Sequence, residues 1–114
     1  MKQVSLYSGT GASSFVSVPF DLGDLETYAC QVIFSGGGSN LAGTLTLEAS
    51  ADESPATNFV TVTGSSQAVT ASASHTWNVQ GAGYRYVRVR WVFGSGTGNA
   101  DVRITAKENV VKGA

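Results

Sequence analysis

The chain is poor in most of what site chemistry requires. It holds one cysteine and one histidine in 114 residues. A lone thiol, Cys30, excludes an internal disulfide, and it sits in an apolar stretch where a free cysteine behaves as a small hydrophobe. One cysteine and one histidine cannot close a structural zinc site, which takes four such ligands. Charged residues make up 13% of the chain, about half the usual ~25%. With a net charge of −1 and a pI of about 5.6, there is no global electrostatic case for nucleic acid or an anionic membrane as partner. No run approaches the ~18 apolar residues that span a bilayer. The opening Met1-Lys2-Gln3-Val4-Ser5 has no apolar core of a secretion signal, so the expectation is a protein made in the cytoplasm and kept off membranes.

What replaces the missing charge is Gly, Ser and Thr, beside an apolar fraction of 42%. That mixture suits strands and tight turns that present hydroxyls to water. The length fits one domain, and a chain of this size buries enough surface for one unstapled core. The reading is an all-β, single-domain antiparallel β-sandwich of jelly-roll type over residues 1–108, with 109–114 as a C-terminal tail.

Alternation of side chains between the faces of a sheet places the strands. In 28–34, Tyr28, Cys30, Val32 and Phe34 share one parity. In 43–49, Leu45, Leu47 and Ala49 point inward and Thr44, Thr46 and Glu48 outward. In 86–93, Val87, Val89, Trp91 and Phe93 share the inward parity, and in 101–107 Val102, Ile104 and Ala106 do. Joined by the Gly-rich stretches 35–40 and 94–98, these read as two hairpins. Shorter strands are expected at 3–7, 15–20, 58–63, 67–70 and 75–79, with a loop at 51–57. The Gly-rich stretches match no phosphate-binding loop, because no helix follows them.

A search for chemistry returns little. His75 lies in a Ser/Thr-rich strand without a recognisable nucleophile turn, so it reads as a surface-strand residue. Paired carboxylates, Asp52-Glu53 or Asp21/Asp24/Glu26, sit in polar loops, and the second group matches no defined calcium loop. No catalytic residue, cofactor or metal ligand is assigned, and the chain reads as a non-enzyme. Charge is unevenly placed: up to Glu53, Lys2 is the one cation against Asp21, Asp24, Glu26, Glu48, Asp52 and Glu53, whereas from Arg85 on, six cations face Asp101 and Glu108. Either acidic and basic strands pair within the fold, or opposite faces attract neighbouring copies. Tyr84, Arg88, Arg90 and Arg103 are residue types enriched at contact surfaces and are the candidate partner-contact residues; their alternative role is cross-strand pairing with Glu48 or Asp101.

Two resemblances follow. The stretches Gly43-Thr44-Leu45-Thr46-Leu47-Glu48-Ala49-Ser50-Ala51-Asp52, Asn58-Phe59-Val60-Thr61-Val62 and Gly83-Tyr84-Arg85-Tyr86-Val87-Arg88-Val89 resemble discoidin-like (coagulation factor 5/8 type C, galactose-binding-like) jelly rolls. Together with Trp77-Asn78-Val79 and Gly94-Ser95-Gly96-Thr97-Gly98, they are also similar to a group of small phage and prophage virion structural proteins, over roughly residues 28–107. That second likeness implies a structural part of a bacteriophage particle, a decoration, head–tail or tail accessory subunit. Such a subunit would form a homo-oligomer, dock onto other virion proteins and reside in the virion. The alternative is a carbohydrate-binding module for host surface glycans, which needs an exposed aromatic platform.

Overall fold

The computed structural model describes residues 2–22, 27–36, 41–50, 59–70, 74–80 and 84–107. The loop expected at 51–57 and the tail at 109–114 lie outside these residues, as do Asp24, Glu26, Asp52 and Glu53. The described residues are all-β: β1 (Lys2–Thr10), β2 (Phe15–Val16), β3 (Phe20–Asp21), β4 (Thr27–Ser35), β5 (Ala42–Ser50), β6 (Val60–Thr61), β7 (Gln67–Val69), β8 (Ser74–Val79), β9 (Tyr86–Ser95) and β10 (Asn99–Lys107). They form two antiparallel sheets. Sheet A has the order β1-β10-β4-β8, and sheet B the order β2-β9-β5-β6, with β3 also on β9 and β7 also on β5.

In sheet B the short strands β2 and β3 flank the same side of β9, and β6 and β7 the same side of β5. Counting each pair as one broken strand gives eight positions along the chain, arranged 1-8-3-6 in sheet A and 2-7-4-5 in sheet B. This is a jelly roll. Every connection crosses from one sheet to the other except that from β5 to β6 and β7.

The sequence reading therefore needs one correction. Strands 28–34 and 43–49 are not a hairpin, and neither are 86–93 and 101–107. β4 pairs with β10 and β8, while β5 pairs with β9. Alternation reports which face of a strand is buried, and in a sandwich the buried face looks at the other sheet. Strands close in sequence thus line opposite walls of one core.

The parity assignments hold. Tyr28, Cys30, Val32, Phe34, Leu45, Leu47, Val87, Val89, Trp91, Val102, Ile104 and Ala106 are all buried. Each fully buried Val, Leu or Ile side chain contributes roughly 1.5–3 kcal/mol. Sheet B is wider in the middle than its flanks can cover. Its first flank breaks at Ser17–Pro19 and its second around the turn at Gly64, whose φ is 79°. At each break a buried serine stands in for the lost ladder. The Ser17 amide donates to the Val89 carbonyl (2.8 Å), and the Val89 amide donates to Ser17 Oγ (2.9 Å). On the other flank the Leu47 amide donates to Ser65 Oγ (3.1 Å), whose hydroxyl donates to the Val62 carbonyl (2.7 Å). Leu47 and Val89 are themselves register partners, so both breaks fall on one row of the sheet. Two tryptophans tie the sheets to their connections: Trp77 Nε1 donates to the Ser65 carbonyl at 2.7 Å and Trp91 Nε1 to the Gly11 carbonyl at 2.9 Å.

Candidate functional site

Arg88 and Arg90 are two residues apart on β9, so both project from the outer face of sheet B. Their register partners on β5 are Glu48 and Thr46. Glu48 lies between the two guanidinium groups: Arg88 Nε donates to Oε1 at 2.8 Å and Arg90 Nε to Oε2 at 2.9 Å. The far side of Arg88 rests on the ring of Phe59, 4.0 Å from its centroid, a cation–π contact. The cluster covers the carboxylate, and Glu48 is 7% exposed although it points away from the core. Two guanidinium groups against one carboxylate leave a surplus positive charge. Arg90 carries most of it to solvent, with 45% of its side chain exposed against 22% for Arg88. Beside Arg90 a shallow recess of about 380 Å³ is lined by Ser14, Phe15, Val16, Trp91 and Val92.

The other two expected contact residues stand elsewhere. Arg103 is on β10 between the buried Val102 and Ile104, so it faces out from sheet A, on the opposite side of the sandwich; it pairs with Asp101 at 2.8 Å. Tyr84 precedes β9, packs against the core and shares a hydrogen bond of 2.6 Å with the Tyr28 hydroxyl. Burial first, and then the bond to Tyr84, push the Tyr28 phenol above its ordinary value; burial likewise raises Tyr84. The structure brings Arg88 and Arg90 together and keeps Tyr84 and Arg103 apart from them. Among the described residues, the acidic side chains of the first half pair with arginines of the second: Asp21 holds Arg85 at 3.1 Å, and Glu48 holds Arg88 and Arg90.

The remaining chemistry-bearing residues have structural surroundings. His75 is half-buried and turned inward, on the side of Trp77 and Val79, rather than a surface-strand residue. Its Nδ1–H donates to Gln67 Oε1 (3.1 Å), its ring meets Phe34 edge-on, and its Nε2 is buried without a hydrogen-bond partner among the described residues. Cys30 is buried, and burial pushes its thiol up to about 12. Among the described residues no group of three His, Cys, Asp or Glu side chains gathers as a metal site would require. Trp77 and Trp91 are 8% and 0% exposed, so the aromatic platform of a glycan site is not made by either. The sequence reading missed the burial of Glu48; the signal available was an acidic residue on a strand opposite one carrying arginine at alternate positions.

No protein-family model matches the chain, so the likeness to discoidin-type jelly rolls gains no family-level support. No curated protein matches it either. Among solved structures, the chain superposes on the crystal structure of the SPBc2 prophage-derived protein YomS with a TM-score of 0.64 and 19% sequence identity, covering 93% of this chain and 92% of that one. The two chains share a fold over most of their length.

Proposed function

We propose that this chain is a non-enzymatic structural subunit of a bacteriophage particle, a decoration, head–tail or tail accessory component that works by oligomerising and docking onto other virion proteins. The observation that carries the reading is the fold shared, over nearly the whole of both chains, with a prophage-derived protein. The virion-protein resemblance of the sequence points the same way. The engagement of His75 by Gln67 and Phe34, rather than by a carboxylate and a nucleophile, supports a role without catalysis.

In this reading the contacts sit on both faces of the sandwich, as suits a subunit held between neighbours. Arg88 and Arg90 serve one side and Arg103 the other, with the half-buried Tyr84 contributing just ahead of β9. Arg90 is the residue to test, because it is the exposed member of its cluster. Reversing the charge of Arg88 and Arg90 together would strand Glu48 among like charges and unfold the domain before any docking was measured. Burial of both tryptophans leaves the particle reading better supported than the glycan-binding one.

The test is to purify particles from host cells producing the phage that encodes the chain and to quantify the chain in them by mass spectrometry. A fixed copy number per particle is expected, and Arg90→Gln should lower incorporation while the soluble protein keeps its melting temperature. A chain abundant in the lysate and missing from the particles would sink the proposal.

A further inference from the structure

A sandwich has four lateral edges, each a row of backbone amides and carbonyls open to another strand. Three of them are closed or cut short here. The flank of sheet B formed by β2 and β3 consists of two-residue pieces separated by Ser17–Pro19, and that formed by β6 and β7 of two- and three-residue pieces around the turn at Gly64. The β8 edge of sheet A is six residues long, and Gln67 Nε2 reaches over from β7 to donate to the Thr76 carbonyl. Short strands, bulges and side-chain covers are how folded proteins blunt an edge.

The fourth edge, β1, is different. It runs for nine residues, and from Gln3 to Thr10 it carries neither a charge nor a proline. Among the described residues it is covered at two points: the bulge at Ser5–Tyr7, where the Val18 amide donates to the Leu6 carbonyl at 3.2 Å, and the far end, where the Tyr7 hydroxyl donates to the Thr10 carbonyl at 2.8 Å. The same flank gathers exposed apolar side chains. Val4 pairs with the buried Ile104 and so points to the inner side of sheet A, yet it remains 40% exposed because it stands beyond the cover of sheet B. Val18 is 59% exposed and Val16 40% exposed. Of the five large apolar side chains left exposed among the described residues, three lie along this one flank.

We propose that β1 is a self-association edge, pairing antiparallel with β1 of a second copy about a two-fold axis. Two four-stranded sheets A would then form one continuous eight-stranded sheet. Two identical edges related by a two-fold axis are antiparallel by construction, and the contact closes on itself without propagating. Apart from Lys2 at its start, β1 is uncharged, so Gln3 to Thr10 meets its own copy without the like-charge repulsion that charged edges use to prevent such pairing. The same rotation brings Val4, Val16 and Val18 of one copy towards those of the other. The inference deepens the particle reading, since it names the contact through which the subunit would oligomerise.

The experiment is light scattering behind size exclusion on the full chain across a concentration series, for wild type and for Val4→Lys. Wild type is expected at twice the chain mass. Val4→Lys, which places a cation on the exposed edge, is expected at the single-chain mass with an unchanged far-UV circular dichroism spectrum. Hydrogen exchange on wild type gives a second readout that needs no variant: protection of β1 amides should rise with concentration while that of β8 amides does not. A wild type of single-chain mass throughout, a Val4→Lys variant that stays dimeric, or β1 protection independent of concentration would each overturn the proposal. A monomer that is nevertheless found in particles overturns the edge alone. A dimer absent from particles overturns the particle role alone.

Discussion

Sheets A and B share one core and one plan, yet they are built differently. Sheet A has four unbroken strands, of nine, nine, nine and six residues, in continuous register apart from the β1 bulge. Sheet B has two long central strands and two flanks in pieces. Sheet A obtains its order from ladder bonds along its whole length. Sheet B obtains it at its middle row from two serine side chains, Ser17 and Ser65, and on its outer face from an ion cluster around Glu48. The difference teaches where each sheet is vulnerable. A side-chain hydroxyl can be deleted by a single substitution, whereas a backbone ladder cannot.

The largest effect is expected at Gly43, beside the point where β9 bulges past β5. A Cβ there would lie 2.3 Å from the Trp91 ring and 2.5 Å from the Val92 carbonyl, and Trp91 cannot retreat because it is fully buried and bonded to Gly11. Gly43→Ala should cost about 3 kcal/mol through overpacking, read as the shift in a urea unfolding midpoint. Next come the serines. Ser17→Ala and Ser65→Ala each leave a buried amide, of Val89 or Leu47, without its acceptor, at a cost of about 1–3 kcal/mol. The matched control is Ser74→Ala on the exposed outer face of sheet A, expected within about 0.5 kcal/mol of wild type. Equal losses at Ser74 and Ser65 would erase the contrast between the sheets.

A pH series sharpens the comparison from sheet A's side. Cys30, ordinarily at 9.0, is held up to about 12 by burial, and Tyr28 beside it is raised as well. The folded state therefore keeps protons that the unfolded state releases. Stability is fully present well below pH 9 and falls as pH climbs from about 9 towards 12, by roughly 1 kcal/mol per pH unit for each of the two groups once it ionises in the unfolded state. Cys30→Ala should flatten the lower part of that decline, measured by urea unfolding at several pH values. In the native state Cys30 should resist thiol reagents at pH 8, reacting only as the domain unfolds. The smallest effect belongs to His75. Its Nε2 is buried without a partner among the described residues, so His75→Leu exchanges a lost bond to Gln67 for relief of that nitrogen, and is expected to be neutral or slightly stabilising.

How much of this was legible in the sequence depends on range. The parity of Tyr28 to Phe34, of Leu45 to Ala49 and of Val102 to Ala106 was readable because burial on one face acts at every second residue, and every such core assignment among them is met. The same rule turns His75 to the side of Trp77 and Val79, but the sequence reading followed its Ser/Thr neighbours and took it for a surface-strand residue, which the structure corrects. The partner of each strand was not readable. Alternation is identical whether the next strand pairs alongside or crosses to the other sheet, so β4 and β5 looked like a hairpin. Ser17 and Ser65 were hidden for another reason: a serine beside proline or glycine carries the signature of a turn, and only three-dimensional placement reveals that its hydroxyl replaces a backbone group. For the contact residues, sequence identified the cluster-forming arginines and their alternative partner Glu48, but not that Arg103 lies on the far face.

The pairing of β1 with β10 has a consequence for how the protein comes into being. Lys2 finds its register partner in Ala106, and Thr10 its partner in Asn99. The ribosome delivers these paired residues roughly 90 to 105 positions apart, at ~5–20 residues per second. For several seconds, then, β1 is out of the exit tunnel with neither of its sides occupied, and the domain cannot close until residues 99–107 follow. During that interval β1 is a strand without a partner, the kind of segment that associates with other chains before it finds its own.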